Sequence, residues 1–181
     1  WEIRMKINPY YEFVEKNPTR SLTKIPKDKK GYFLLRHGDQ VDRAHAPDFT
    51  QKAFEIIVSM KRGKEKDGVL VSHGGINSGY SLYLDDGRIA FACRNNGDLK
   101  KILSPKVLPS EEITITAKLR NDGHAQVFLH NELLVQSGSF ELIKTFPQDP
   151  LEVGNDSLSS VSDYQRRTKF KGEISKVLIK M

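Results

Sequence analysis

Two acidic residues on one polar loop are the side chains best suited to hold a metal ion. Asp156 and Asp163 lie in the stretch GNDSLSSVSDYQRRTK, beside Asn155. Ca²⁺ prefers several hard oxygen ligands, which carboxylates and carbonyls of a loop can supply. The pair therefore predicts a candidate Ca²⁺ site. The competing interpretation is that both carboxylates accept backbone N–H bonds within turns, as Asp side chains commonly do.

A second group of residues has the chemistry to contact a carbohydrate. His73 and Asn77 border a glycine-rich loop and offer hydrogen bonds to sugar hydroxyls. Tyr83 alternates with Leu82 and Leu84, so it points to the opposite face of its strand and would present an aromatic platform. We therefore predict that His73, Asn77 and Tyr83 contribute to a ligand site, whereas Tyr80 has the phase of a core residue.

A basic cluster follows the polar loop. Arg166 and Arg167, with Lys169 and Lys171, form the densest group of cations in the chain. Charge-assisted hydrogen bonds from these side chains would suit a sulfated or acidic polysaccharide. A solvated loop edge, or docking onto an acidic neighbouring domain, is the alternative meaning of such a run.

The strongest structural signal is a three-stranded meander. The alternation of residues predicts strands at Val69 to Ser72, Tyr80 to Leu84 and Ile89 to Cys93. Asp86-Gly87 between the last two is typical of a two-residue type I′ turn, in which both residues need positive φ. The same phase places Cys93, the only cysteine, in the core as a small apolar residue.

The remainder of the chain repeats this pattern. Alternating segments and turn signals indicate roughly ten to twelve short strands, which is typical of an all-β sandwich of two sheets. We expect a single sandwich domain over residues 32–181. Residues 1–31 are rich in proline and charge and are expected to form an extension or linker, with a helical turn or two at Tyr10 to Lys16.

The charge distribution argues against nucleic acid as a partner. The net charge is +6, but residues 67–181 carry 14 basic and 14 acidic side chains, so the whole excess lies N-terminal to them. That excess is mixed with acidic residues and no nucleic-acid motif accompanies it. No apolar run approaches the length of a membrane span. The sequence begins at Trp1 without a methionine, which is consistent either with a processed end or with a fragment cut from a longer protein.

Several segments carry a family resemblance. The succession DGVLVSHGG, GYSLYLDDGRIAFA, ITITAKL, HAQVFLHNELL, LEVGNDSLSSVSDY and FKGEISKVLIKM resembles the laminin-G/concanavalin A-like jelly-roll superfamily. It is most similar to the C-terminal sandwich module of bacterial arylsulfatase-type proteins. The resemblance covers residues 32–181. It implies an antiparallel jelly roll, a bacterial exported setting, and an accessory role beside a hydrolase or in contact with a glycan.

The resemblance does not imply catalysis. Sulfatases carry C-x-P/A-x-R, whereas Cys93 is followed by Arg94-Asn95-Asn96-Gly97. Sandwich glycanases of the superfamily carry an E-x-D-x-x-E strand, which Glu111-Glu112-Ile113-Thr114 does not supply. Three hypotheses follow: a non-catalytic accessory module that packs on a catalytic domain or binds glycan weakly, a free-standing Ca²⁺-dependent lectin, and a glycan hydrolase with unrecognised carboxylates.

Overall fold

The computed structural model describes residues 18–164 and 168–181, and within them the chain forms strands and no helix. Arg166, Arg167 and the predicted helical turn at Tyr10 to Lys16 lie outside these residues. The thirteen strands are β1 (Arg20–Leu22), β2 (Phe33–Leu35), β3 (Asp39–Val41), β4 (Phe54–Lys61), β5 (Gly68–Gly74), β6 (Gly79–Asp85), β7 (Arg88–Asn95), β8 (Asp98–Val107), β9 (Glu112–Leu119), β10 (Ala125–Leu129), β11 (Glu132–Ser137), β12 (Leu151–Val153) and β13 (Glu173–Lys180).

The strands form two sheets packed face to face. The seven-stranded sheet has the order β1-β3-β12-β5-β6-β7-β8, and the six-stranded sheet has the order β11-β10-β9-β4-β13-β2. All neighbours are antiparallel except β1 and β3, which are parallel. β8 and β11 lie side by side at one edge of the sandwich. The predicted all-β, antiparallel jelly-roll sandwich is therefore confirmed.

The tight turns explain why consecutive strands pair. Asp86 and Gly87 have φ of 48° and 78°, as the type I′ prediction requires. Asn96 and Gly97 repeat this geometry between β7 and β8, with φ of 49° and 86°. Because such turns twist in the same sense as the flanking strands, they join neighbours directly.

The core lies between the two sheets and follows the alternation of the sequence. On β4, Phe54, Ile56, Val58 and Met60 are buried, while Ile57 points outward and is half-buried. Cys93 is buried as predicted, and its burial raises the pKa of the thiol well above its usual value. Burial of such apolar side chains supplies the main driving force for folding.

The structure adds two strands that the sequence did not reveal. β1 and β3 extend the seven-stranded sheet, and Ile25, between β1 and β2, is buried in the core. Part of the predicted N-terminal extension therefore contributes to the sandwich. Three residues are too few for a period-2 pattern to stand out. Over the described ranges, the chain contains no helix that is long and apolar enough to cross a membrane.

Candidate functional site

His73 lies in the core, not at the ligand-accessible surface expected for a binding residue. It pairs with Tyr80 across β5 and β6, and both side chains are fully buried. The register of β5 shifts between Val69 and Val71, so Val69 faces outward while Val71 and His73 face the core. Asn77, in the loop between β5 and β6, is exposed, and its carbonyl accepts a bond of 2.9 Å from the Gly97 N–H. The structure therefore separates Asn77 from His73.

Tyr83 faces away from the core, as its phase predicted, but it is not an open platform. Its side chain is only 3% exposed because residues 154–164, here called the strap, fold over the seven-stranded sheet. The Tyr83 ring meets Tyr164 edge to face at 4.8 Å between centroids. Its hydroxyl lies 2.9 Å from the Ser162 hydroxyl. The expectation of an exposed aromatic surface at Tyr83 was therefore wrong, because the strap occupies that face.

The two predicted Ca²⁺ ligands belong to the strap and have different partners. Asp156 is buried and accepts hydrogen bonds from the Val161 N–H at 3.0 Å and the Tyr164 hydroxyl at 2.7 Å. Asp163 is exposed, and the Lys101 ammonium donates to both of its carboxylate oxygens at 2.8 Å. Among the residues that the structure describes, no group of three His, Cys, Asp or Glu could hold a metal ion.

Burial raises the pKa of Asp156 to about 6, and the nearby Glu152 and Asp149 carboxylates add to this rise. The bonds from Tyr164 and Val161 oppose the rise but do not cancel it. Burial is the largest single influence on Asp163 and acts to raise its pKa, but the hydrogen bond and charge of Lys101, together with the Ser162 hydroxyl and a backbone N–H, hold that pKa below its usual value. The two carboxyl groups are thus in opposite electrostatic environments.

The strap is held by a row of polar side chains on the outer face of the seven-stranded sheet. The row follows the register across β3, β12, β5 and β6 and reaches β8 through Ala92 of β7. Its polar members are Gln40, Glu152, Ser72, Ser81 and Lys101. Glu152 accepts a bond of 2.7 Å from the Ser157 N–H. Ser72 donates to the Asn155 carbonyl at 2.8 Å. These internal bonds satisfy the polar groups of this face, so it offers few free partners to a ligand.

An open groove lies elsewhere, at one corner of the six-stranded sheet. A groove of about 390 Å³ is lined by residues 53–55, 118–122 and 180–181, and we call it the corner groove. Strands β13, β4 and β9 are neighbours, and their register aligns Lys180 with Glu55 and Glu55 with Lys118. The turn between β9 and β10 adds the segment 120–122. A groove of this size suits a small ligand.

Five of the ten residues that line the corner groove are charged. Lys118 Nζ lies 3.3 Å from Glu55 Oε2 and 5.2 Å from the Phe128 ring centroid. Arg120 Nη2 lies 3.1 Å from Asp122 Oδ2. Lys180 Nζ lies 5.6 Å from the ring centroid of Tyr32. Three cations against the two carboxylates Glu55 and Asp122 leave the lining side chains with one net positive charge.

The turn at the groove keeps one carboxylate ionised. The His124 N–H bond to Asp122 is the main cause that lowers the pKa of this carboxyl group, and Arg120 contributes further. A carboxylate in this state accepts hydrogen bonds and cannot donate a proton near neutral pH. Together the groove presents ammonium and guanidinium donors and carboxylate acceptors, which are groups that can orient a polar ligand.

No pattern in the sequence predicted this groove. Its side chains come from three segments far apart in the chain, and each segment alone reads as an ordinary polar strand face or turn. Only the pairing of β4 with both β9 and β13 brings them together. The one available signal was the charged residue at the outward position of each strand end.

No family model and no curated protein matches the chain. Among solved structures, the chain is similar to the CBM40 domain of Ruminococcus gnavus IT-sialidase, which was solved bound to α2,3-sialyllactose. The TM-score is 0.55 and the sequence identity is 18%, over 70% of this chain and 74% of that one. It is also similar to the NanB sialidase of Streptococcus pneumoniae, with a TM-score of 0.62 and 13% identity over 82% of this chain and 26% of that one.

A third similar structure is that of domains LG4–5 of the mouse laminin α1 chain, with a TM-score of 0.52 and 16% identity over 82% of this chain and 38% of that one. At these identities the likeness concerns the fold alone. The chain therefore has the concanavalin A-like jelly-roll fold that CBM40 and laminin G domains share.

Proposed function

We propose that this domain is a non-catalytic glycan-binding module of an exported bacterial protein that is of the sulfatase type or degrades polysaccharides. The module accompanies a catalytic domain, which lies in the same chain or in a neighbouring one. The observation that carries the proposal is the corner groove, an open site lined by charged hydrogen-bonding groups. The sulfatase setting rests on the sequence resemblance, and the glycan role also has support from similar folds solved with sialyllactose.

The groove has the chemistry that a sugar ring requires. Ammonium and guanidinium groups of Lys118, Arg120 and Lys180 can donate to hydroxyl, carboxylate or sulfate oxygens. The carboxylates of Glu55 and Asp122 can accept bonds from sugar hydroxyls. The net positive charge of the lining favours a glycan that carries a carboxylate or a sulfate.

The same groups support a binding role over a hydrolytic one. Glycoside hydrolysis usually needs one protonated and one ionised carboxyl group on either side of the scissile bond. Asp122 has a lowered pKa, and Glu55 is paired with Lys118. Neither carboxyl group is therefore in the environment of a general acid.

A binding assay with immobilised glycans tests the proposal. We expect immobilised sialyllactose or a sulfated oligosaccharide to retain the protein. Arg120→Gln and Lys180→Gln should each weaken this binding at least about tenfold, since a charge-assisted bond contributes on the order of 1.5–3 kcal/mol. Lys64→Gln, at an exposed cation outside the groove, is the matched control and should bind like the unmodified protein. Equal binding by all variants, or failure of every glycan in the panel to bind, would reject the proposal.

A further inference from the structure

Residues 26–34 form a hairpin, here called the basic hairpin, that carries much of the protein's unbalanced positive charge. Its two arms are joined by the antiparallel pairing of Lys27 with Phe33. Residues 1–66 have 15 basic and 9 acidic side chains, an excess of six. Residues 24–36 alone have five basic side chains and one acidic one, an excess of four. A surface cluster of one charge sign raises the local concentration of ligands of the opposite sign.

The single carboxylate of this segment is used to hold the turn. Asp28 Oδ1 accepts bonds of 2.9 Å from the backbone N–H groups of Lys30 and Tyr32. An Asp side chain that bonds the backbone two residues further on is typical of an Asx turn. The backbone of the turn is therefore fixed without the lysine side chains, and those of Lys29 and Lys30 are exposed.

The fold places the basic hairpin beside the corner groove. The register of β2 and β13 aligns Phe33 with Ile179, which puts Tyr32 next to Lys180. Phe33 packs against the core, so Tyr32 points to the outer face of the sheet. Lys180 Nζ lies 5.6 Å from the ring centroid of Tyr32, and Lys180 also lines the groove. The groove, Tyr32 and the hairpin turn therefore follow one another along the edge of the sheet.

The cations on the hairpin side are available to a ligand. Two of the three groove cations already have a carboxylate partner, Glu55 or Asp122. By contrast, Lys180, Lys29 and Lys30 form no ion pair with any other described residue. An anionic group bound by these lysines would not have to displace an internal carboxylate. Exposed charges that are already paired gain less from a further partner.

The positively charged path is long. Lys118 lies on β9 and Tyr32 adjoins β2, three strand positions away. Neighbouring strands are about 4.8 Å apart, so this distance is roughly 14 Å, and the hairpin turn extends the path further. A single sugar ring cannot reach both ends. Between them, half-buried Tyr32 offers an aromatic ring and a hydroxyl group, which suit the mixed apolar and polar surface of a sugar.

We propose that the corner groove and the basic hairpin together bind one anionic oligosaccharide that carries acidic groups on successive sugars. One acidic group lies at the groove, and a following one lies at Lys29 and Lys30. This inference rests on the glycan-binding role and specifies its ligand class, a chain with repeated negative charge in place of a glycan with one terminal acidic sugar.

Calorimetric titrations with a disaccharide and a hexasaccharide of chondroitin sulfate, at low ionic strength, test the inference. We expect the hexasaccharide to bind at least about tenfold more tightly. An exposed charge pair contributes on the order of threefold in affinity, so Lys29→Gln with Lys30→Gln should weaken hexasaccharide binding about tenfold. The same double variant should bind the disaccharide like the unmodified protein. Because the Asp28 bonds go to the backbone, the variant should keep the shape of the turn.

Lys100→Gln with Lys106→Gln is the matched control, since these exposed lysines lie on β8, at the edge of the sandwich opposite β2. It removes the same charge and should bind both oligosaccharides like the unmodified protein. An equal loss in this control would overturn the inference, because net charge alone would then set the affinity.

Three other results would also overturn the inference. They are equal affinity for the two oligosaccharides, hexasaccharide binding that the hairpin substitutions leave unchanged, and tighter binding of a single-stranded DNA hexanucleotide than of the hexasaccharide. Each of the first two would leave the glycan-binding role of the groove in place. Failure to bind either oligosaccharide and sialyllactose would reject that role as well.

Discussion

Replacement of His73 by methionine should make the domain more resistant to acid. His73 is fully buried, and within the described residues neither ring nitrogen has a hydrogen-bond partner. Its ring packs edge to face against Phe49, Tyr80 and Phe146. This burial lowers the pKa of His73 to about 3, although the Asp48 carboxylate acts weakly in the opposite direction.

The size of the effect follows from the two pKa values. The imidazole titrates near 6.5 in the unfolded chain and near 3 in the folded one, so the unfolded state binds the extra proton between these pH values. Stability is therefore lost as the pH falls through this window. Because pH 4 lies about two and a half units below the pKa of the unfolded chain and above that of the folded one, the stability lost by pH 4 is about 3 kcal/mol.

Other buried groups titrate in the same window. Burial, with Lys169 nearby, lowers the pKa of His37 to about 4, which also makes acid destabilising. The pKa of Asp156 is raised to about 6, so its protonation stabilises the folded state as the pH falls. Because the unmodified protein and the His73 variant share both groups, the difference between their stabilities isolates His73.

Urea unfolding at pH 7 and pH 4 measures this difference. We expect His73→Met to gain about 3 kcal/mol relative to the unmodified protein between the two pH values, with methionine adapting to the cavity left by imidazole. His45→Gln, at an exposed histidine, is the control and should show little such gain. A His73→Met protein whose stability falls with acid as steeply as that of the unmodified protein would refute the reasoning.

Four further substitutions test the strap, the tyrosine beneath it and two glycines with positive φ. Asp156→Asn removes a buried carboxylate, so in urea unfolding the stability of this variant relative to the unmodified protein should rise by about 3 kcal/mol from pH 3.5 to pH 7.5. The absence of this rise would contradict the raised pKa of Asp156. Gly74→Ala should lower the stability by at least about 3 kcal/mol, since φ is 92° and the added methyl group would collide with the Ser78 carbonyl. Gly97→Ala is the control: φ is 86°, but no atom lies within 4 Å of an added methyl group, so the loss should be only about 1 kcal/mol. Tyr83→Phe removes the hydrogen bond to the Ser162 hydroxyl, so it should lower the thermal midpoint through a loss of about 1 kcal/mol and leave glycan binding unchanged. Weaker glycan binding by this variant would show that Tyr83 contributes to the ligand site.

The sequence predicted the fold well because the long strands carry their own signal. The alternation of Phe54, Ile56 and Val58 marks an inward face, and Asp86-Gly87 specifies how β6 joins β7. Such local patterns depend only on near neighbours in the chain. The two sheets then follow, since each strand has one apolar face to bury.

The site was harder to predict because it depends on contacts between distant segments. The phase of Tyr83 was right, but the strap that covers it begins about seventy residues later in the chain. The core position of His73 depends on a register shift in β5 that no local pattern announces. Lys118 and Lys180 look like ordinary exposed lysines until β4 brings their strands together.

A backbone NMR titration with sialyllactose and with a sulfated oligosaccharide tests most directly whether the corner groove binds glycan. We expect saturable chemical-shift changes concentrated at residues 53–55, 118–122 and 180–181. Changes concentrated on the strap or on the loop at Asn77, or no saturable change with either glycan, would contradict it.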